Sequence, residues 1–151
     1  MTDRFAELLQ ELGKVFQMSL HPDKLNACSI LIPPNPVIML QLDETQEFLF
    51  LFCKVIEISP GKFRENVLCE ALKANGQPDP RPGILGYIAM SNMIAVHQKF
   101  PASLMNGERL AMLIGSLLEM VNIWKTAIEH GKPGPQSEPP SLPNPMMGIR
   151  P

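Results

Sequence analysis

Residues 47–58, Glu-Phe-Leu-Phe-Leu-Phe-Cys-Lys-Val-Ile-Glu-Ile, constrain the fold more than any other stretch of this chain. Rich in aromatic and β-branched residues, the run predicts a strand from Glu47 to Ile58. Side chains alternate across a pleat, so Phe48, Phe50, Phe52 and Ile56 point to one face and Leu49, Leu51, Cys53 and Val55 to the other. Both faces are apolar. An antiparallel sheet ordinarily shows water one polar face, so this strand must be central and covered on both sides by helices, a second subunit or a ligand. The chain of 151 residues has room for one domain, with little to spare for covering both faces. Charged residues make up 19%, below the roughly 25% of ordinary soluble domains. Either self-association hides much of the surface, or apolar area stays open for a partner.

The flanking segments supply the rest of the architecture. Asp3 is placed to cap a first helix whose Phe5, Leu8, Leu9, Leu12, Val15 and Phe16 recur at helical spacing. After Pro22 the period turns extended, predicting strands from Cys28 to Ile32 and from Val37 to Leu42. Ser59-Pro60 opens a second helix carrying Phe63, Val67, Leu68, Ala71 and Leu72, which Asn75-Gly76 ends. A hairpin follows, Ile84 to Met90 and Met93 to Phe100 about a turn at Ser91-Asn92. Asn106 then caps the longest helix, with Leu110, Leu113, Ile114, Leu117, Leu118, Val121, Trp124 and Ile128 in one stripe and Gly131 at its end. The expected fold class is α+β, in the order helix-β-β-β-helix-β-β-helix, a twisted antiparallel sheet packed by helices over residues 1–131. Residues 132–151, with six prolines before Arg150, are expected to form a flexible tail.

Several function classes find no support in the residues. Net charge is −2 with no Lys/Arg run, so the footprint of phosphate-backbone binding is missing and no nucleic-acid partner is expected. Asp3, Glu7 and Glu11 make the N-terminus unlike a signal peptide, and no apolar stretch of about 20 residues is evident; a cytoplasmic protein without membrane insertion is expected. Cys28, Cys53 and Cys69 form neither an even framework nor a CxxC pair, and burial is expected for all three. His21-Pro22-Asp23 matches the signature tripeptide of J-domains, but an acidic helix precedes it and strands follow, so a plain loop is the preferred reading. His21, His97 and His130 lack the spacing of metal ligands. No glycine-rich phosphate loop or nucleophile motif is present, and neither enzymatic activity nor a cofactor is expected. Met112 and Met120 fall off the main stripe of the last helix, either as core filler or as an adaptable contact surface. In the tail, Met146 and Met147 are hydrophobics that could dock back or touch a partner.

Three stretches resemble the Tir chaperone, or CesT-like, family, the class I type III secretion chaperones: Val67-Leu-Cys-Glu-Ala-Leu-Lys-Ala-Asn75, Gly83-Ile-Leu-Gly86, and Leu104 to Trp124 with its late tryptophan. With the order of elements, the resemblance spans residues 3–130. The chain departs from the family in its mild acidity and its proline-rich tail. The resemblance implies a bacterial cytoplasmic dimer, paired around the second helix and fourth strand, around which an effector's N-terminal segment wraps in extended form without ATP. Carried onto this sequence, Val67, Leu68, Ala71, Leu72 and Leu85 line the dimer interface, and Phe5, Leu12, Ile32, Met39, Phe50 and Met93 are candidates for the effector-binding grooves. Two alternatives stay open: a regulatory or structural subunit permanently paired with a paralogous chain, and a small-molecule binder using the sheet as a pocket.

Overall fold

The computed structural model describes residues 3–78 and 81–135. Helix α1 (Arg4–Phe16) begins where its cap demands, with the Asp3 carboxylate accepting from the Phe5 backbone N–H at 3.0 Å. Three strands follow, β1 (Ala27–Ile30), β2 (Ile38–Leu42) and β3 (Phe48–Glu57), then helix α2 (Lys62–Asn75), strands β4 (Ile84–Ile88) and β5 (Met93–Pro101), a short 3-10 turn (Ala102–Leu104) and helix α3 (Gly107–Glu129). All pairings are antiparallel, in the order β1-β2-β3-β5-β4. The doubly apolar strand is therefore central, as its composition requires.

Several element boundaries differ from the sequence expectation. Helix α2 starts at Lys62, not at Pro60, because Gly61 precedes it with φ 146°, ψ −173°, a conformation that breaks the helix and favours a residue without Cβ. Strand β1 stops at Ile30, two residues before the expected end, and the β4–β5 turn spans four residues and closes on Asn92 at φ 55°. Asn tolerates that left-handed conformation better than most side chains, which is how the turn manages without glycine.

Helices α1 and α3 pack together over one face of the sheet, with α3 against β3 and β5. Phe5, Leu8, Leu9 and Leu12 of α1 join Leu49, Leu51, Cys53 and Val55 of β3 and the α3 stripe in a single core. Each fully buried large side chain there contributes about 1.5–3 kcal/mol of transfer free energy. The two helices meet closely at Gly107, where an added Cβ would lie 2.5 Å from Glu11 Cβ. The Gly107 N–H donates to Glu11 Oε1 at 2.9 Å, so a carboxylate satisfies one of the otherwise unpaired amides at the start of α3.

Helix α3 is long and apolar enough to cross a membrane, which the sequence expectation of no such stretch overlooked. Its Leu110, Ile114, Leu117, Leu118, Val121, Trp124 and Ile128 are buried against the sheet and α1, so its apolar character is that of a core helix. Beyond it the chain reverses at Gly131, with φ 79°, and packs back: a Cβ on Gly134 would sit 3.1 Å from the Trp124 ring and 3.2 Å from Glu70 Cβ. Packed chain thus continues to Pro135, past the expected boundary at residue 131. Residues 136–151 of the expected tail lie outside the described residues.

Candidate functional site

The sheet has one helix-covered face and one bare one. On β3 the Leu49, Leu51, Cys53 and Val55 side chains are buried, whereas Phe50 is 38% exposed and Phe48 and Phe52 are half-buried. Register joins these aromatics to their neighbours: Met39, Phe52 and His97 form one outward row across β2, β3 and β5, and Gln41, Phe50 and Lys99 the next. Met39 is exposed like Phe50. Leu31 and Val37, 54% and 50% exposed, lie one rung beyond the last β1–β2 pair, Ile30↔Ile38. Together they extend an apolar surface from the centre of the sheet to its β1 side. The Lys99 ammonium lies 4.1 Å from the Phe48 ring centroid and 5.7 Å from that of Phe50, a cation–π arrangement at the margin of this surface.

Strand β1 forms one edge of the sheet. Ala27 turns its backbone groups away from β2, its N–H donating to Asp23 Oδ1 at 2.9 Å and its carbonyl accepting from the Asp23 N–H at 2.8 Å. In an antiparallel ladder this orientation repeats every second residue, so the Ser29 N–H and C=O also point away from the sheet, and no strand pairs with them among the described residues. Asp23 also accepts from the Leu25 N–H at 2.8 Å. The acidic member of His21-Pro22-Asp23 is thus committed to a turn, and the tripeptide sits in the loop between α1 and β1.

The other edge, β4, is paired at Leu85. The Asn75 side chain at the end of α2 donates from Nδ2 to the Leu85 carbonyl and accepts at Oδ1 from the Leu85 N–H, both at 2.8 Å. Arg64 of α2 donates to the Tyr87 hydroxyl at 2.7 Å and to Asn92 Oδ1 at 3.1 Å, and Tyr87 donates to the same Asn92 oxygen at 2.6 Å. Helix α2 is thereby fastened along the β4–β5 hairpin.

The residues singled out from sequence divide accordingly. Phe5 and Leu12 are 1% and 0% exposed, because the α1 stripe packs into the core. Neither side chain is open on the surface of the protomer. Ile32 is half-buried just past β1, and Met93 lies at the far end of β5 opposite Glu57. Only Met39 and Phe50 come together on the bare face. Of the residues expected between subunits, Val67, Ala71 and Leu85 are buried within the protomer, where α2 packs on β4. Leu68 is half-buried and Leu72 is 72% exposed. Leu31, Val37 and Lys99 were not singled out. Leu31 and Val37 flank the Pro33–Pro36 turn, and the two-residue alternation from Ser29 and Met39 was the signal that pointed to them.

Burial pushes the Cys53 thiol up to about 11 despite the opposing pull of Lys125, and desolvation likewise raises Cys28. Both are free and buried, as expected; Cys69 is free but exposed on α2. It neighbours Leu72 at a helical spacing of three residues, as Leu68 does at four. Among the described residues, no three His, Cys, Asp or Glu side chains are grouped to hold a metal ion.

Solved structures with the same fold fit this geometry. A chain of the HopA1–SchA chaperone–effector complex matches with a TM-score of 0.66 at 21% identity, covering 84% of this chain and 100% of that one. A chain from the Yersinia pestis type III secretion chaperone SycH in complex with a stable fragment of YscM2 matches at 0.65 and 14% identity, covering 78% and 97%. One from the ExsC–ExsE complex matches at 0.65 and 18% identity, covering 83% and 94%. Among curated protein sequences, none matches this one. Residues 7–125, most of the chain, match the model of the Tir chaperone protein (CesT) family, and the protein belongs to that family.

Proposed function

We propose that this protein is a type III secretion chaperone of the bacterial cytoplasm that holds the N-terminal segment of a secreted effector protein in extended form. The carrying observation is the apolar surface of Leu31, Val37, Met39 and Phe50, left uncovered beside a strand edge whose Ser29 backbone groups face outward. An extended segment laid along β1 gains main-chain hydrogen bonds from the edge, while alternate side chains settle on the apolar surface. Each buried cargo side chain contributes about 1.5–3 kcal/mol, offset by the cost of ordering the segment. Holding of this kind is binding and release with no bond made or broken, and neither ATP nor another cofactor enters it. The chaperone–effector complex among the similar structures supports the same reading.

In this reading the working unit is a dimer, of two copies or with a paralogous chaperone, paired through the exposed side of α2. Leu68 and Leu72 are its contacts, and Val67, Ala71 and Leu85 support them from within. Mass spectrometry of what purifies with the tagged full chain from its native bacterium tests the function. A secreted protein in near-stoichiometric amount is expected, and recovery of ribosomal and metabolic proteins alone would end the proposal. The Leu72→Asp variant tests the pairing by light scattering. Leu72 is 72% exposed, so the protomer is expected to fold, and the mass is expected to halve.

A further inference from the structure

The bare face of the sheet is charged as well as apolar, and its charge is of one sign. Side chains alternate along β3, so exposed Lys54, between the buried Cys53 and Val55, projects on the same side as Phe48, Phe50 and Phe52. On β5, exposed His97 and Lys99 stand opposite Phe52 and Phe50. In the five strands the one carboxylate among the described residues is Glu57, the last residue of β3. Asp43 and Glu44 lie in the β2–β3 turn, where Asp43 is occupied in accepting from the Glu47 and Phe48 N–H groups at 2.9 and 3.1 Å. The ion pairs among the described residues are made by Arg4, Lys62 and Lys73. Lys54 and Lys99 make none, and Lys99 rests instead on the Phe48 and Phe50 rings. A chain of net charge −2 thus keeps unpaired positive charge on the sheet face it leaves bare.

The spacing of the two lysines fits an extended chain. Lys54 stands four residues along β3 from Phe50, and Lys99 stands one strand across from Phe50. At about 3.3 Å per residue and about 4.8 Å between strands, the two backbone positions are about 14 Å apart. An extended segment puts its residues i and i+4 on one side of its own backbone, about 13 Å apart, with i+2 between them on that side. Carboxylates at i and i+4 therefore reach both ammonium groups while an apolar residue at i+2 settles on Phe50 and Phe52. Exposed ion pairs add little affinity by themselves. What they supply is faster encounter and the rejection of segments carrying the wrong charge.

We propose that the cargo held on this face is acidic as well as apolar: an extended stretch in which two carboxylates, four residues apart, flank an apolar residue and meet Lys54 and Lys99. The stretch is distinct from the part paired with β1, because β5 lies three strands from that edge; it is the chain that continues from that part across the face. The inference rests on the bare face being the cargo surface, and it adds the chemistry by which one extended segment is preferred to another.

Two short synthetic peptides test it on the full chain, one with the core Glu-Thr-Leu-Thr-Glu and the other with Lys-Thr-Leu-Thr-Lys. With 13C at the methionine methyls, Met39 reads the bare face, and Met112, 73% exposed on α3, reads a surface away from it. The glutamate peptide is expected to shift Met39 at a concentration about tenfold below that needed with the lysine peptide, the equivalent of two exposed ion pairs, without moving Met112. Added salt is expected to narrow the gap. Lys54→Glu combined with Lys99→Glu is expected to reverse the order of the two peptides. Both lysines are exposed, and the comparison on the unaltered chain stands whether or not the variant folds. Equal binding of the two peptides, or a preference of the unaltered chain for the lysine peptide, would overturn the proposal and leave the holding of extended segments untouched. If neither peptide moved Met39, the face itself would be lost from the cargo site, and this proposal with it.

Discussion

The two edges of the sheet are finished differently. At β4 the chain supplies its own cover: Asn75 takes both backbone groups of Leu85, and Arg64, Tyr87 and Asn92 hold α2 in place. At β1 the cover stops after one residue, with Asp23 pairing Ala27 and leaving Ser29 outward beside exposed Leu31. An exposed strand edge is a hazard that folded proteins usually blunt. A chain that closes Leu85 with a dedicated asparagine and leaves Ser29 open beside an apolar face suits the strand addition proposed at β1.

The sharpest way to break this asymmetry is Met39→Asp combined with Phe50→Asp. Removing two apolar anchors of about 1.5 kcal/mol or more each should weaken cargo binding at least roughly a hundredfold, measured by titration calorimetry with the co-purified partner. Circular dichroism should change little, because both residues are exposed. Next comes Asn75→Ala at the closed edge. It leaves the two Leu85 backbone groups without their partner, and chemical denaturation should show a loss of about 2 kcal/mol with cargo affinity intact. Ser29→Pro is smaller and more specific. Proline is tolerated on an edge strand where its N–H would face solvent, so the fold should hold within about 1 kcal/mol. Cargo affinity should fall by about tenfold, as expected for one main-chain hydrogen bond. The smallest effect is kinetic. Cys69 should react with a thiol reagent in the native protein, more slowly as concentration rises and α2 pairs, while Cys28 and Cys53 should react only on unfolding.

Much of the fold could be read from local chemistry. Asp3 and Asn106 cap their helices as the sequence suggests, Asn106 Oδ1 accepting from the Arg109 N–H at 2.8 Å, and the alternation in β3 correctly separates Leu49, Leu51 and Cys53 from Phe48, Phe50 and Phe52. Alternation sorts residues between two faces but is silent on which face receives the helices. Helical spacing has the same limit: it groups Phe5 and Leu12 on one stripe without saying that the stripe is buried. The open edge was harder still, since it depends on a four-residue reach from Asp23 to Ala27 and on a hydrogen-bond phase that no composition signals. Helix α2 shows the converse. Its apolar residues looked equivalent in sequence, yet Val67 and Ala71 are buried while Leu72 faces water, in a helix whose end is held to β4 by the Asn75–Leu85 pairing.

Lys99 gives the bare face a further property. A strongly hydrated ammonium group resting on the Phe48 and Phe50 rings keeps water at the margin of the aromatic patch. It also adds like charge to both surfaces when two such patches approach. Two empty molecules would thus repel at the very spot where they are stickiest, whereas an incoming strand with a carboxylate or a neutral residue there would not. A single lysine can in this way let an unloaded carrier persist at working concentrations without clumping.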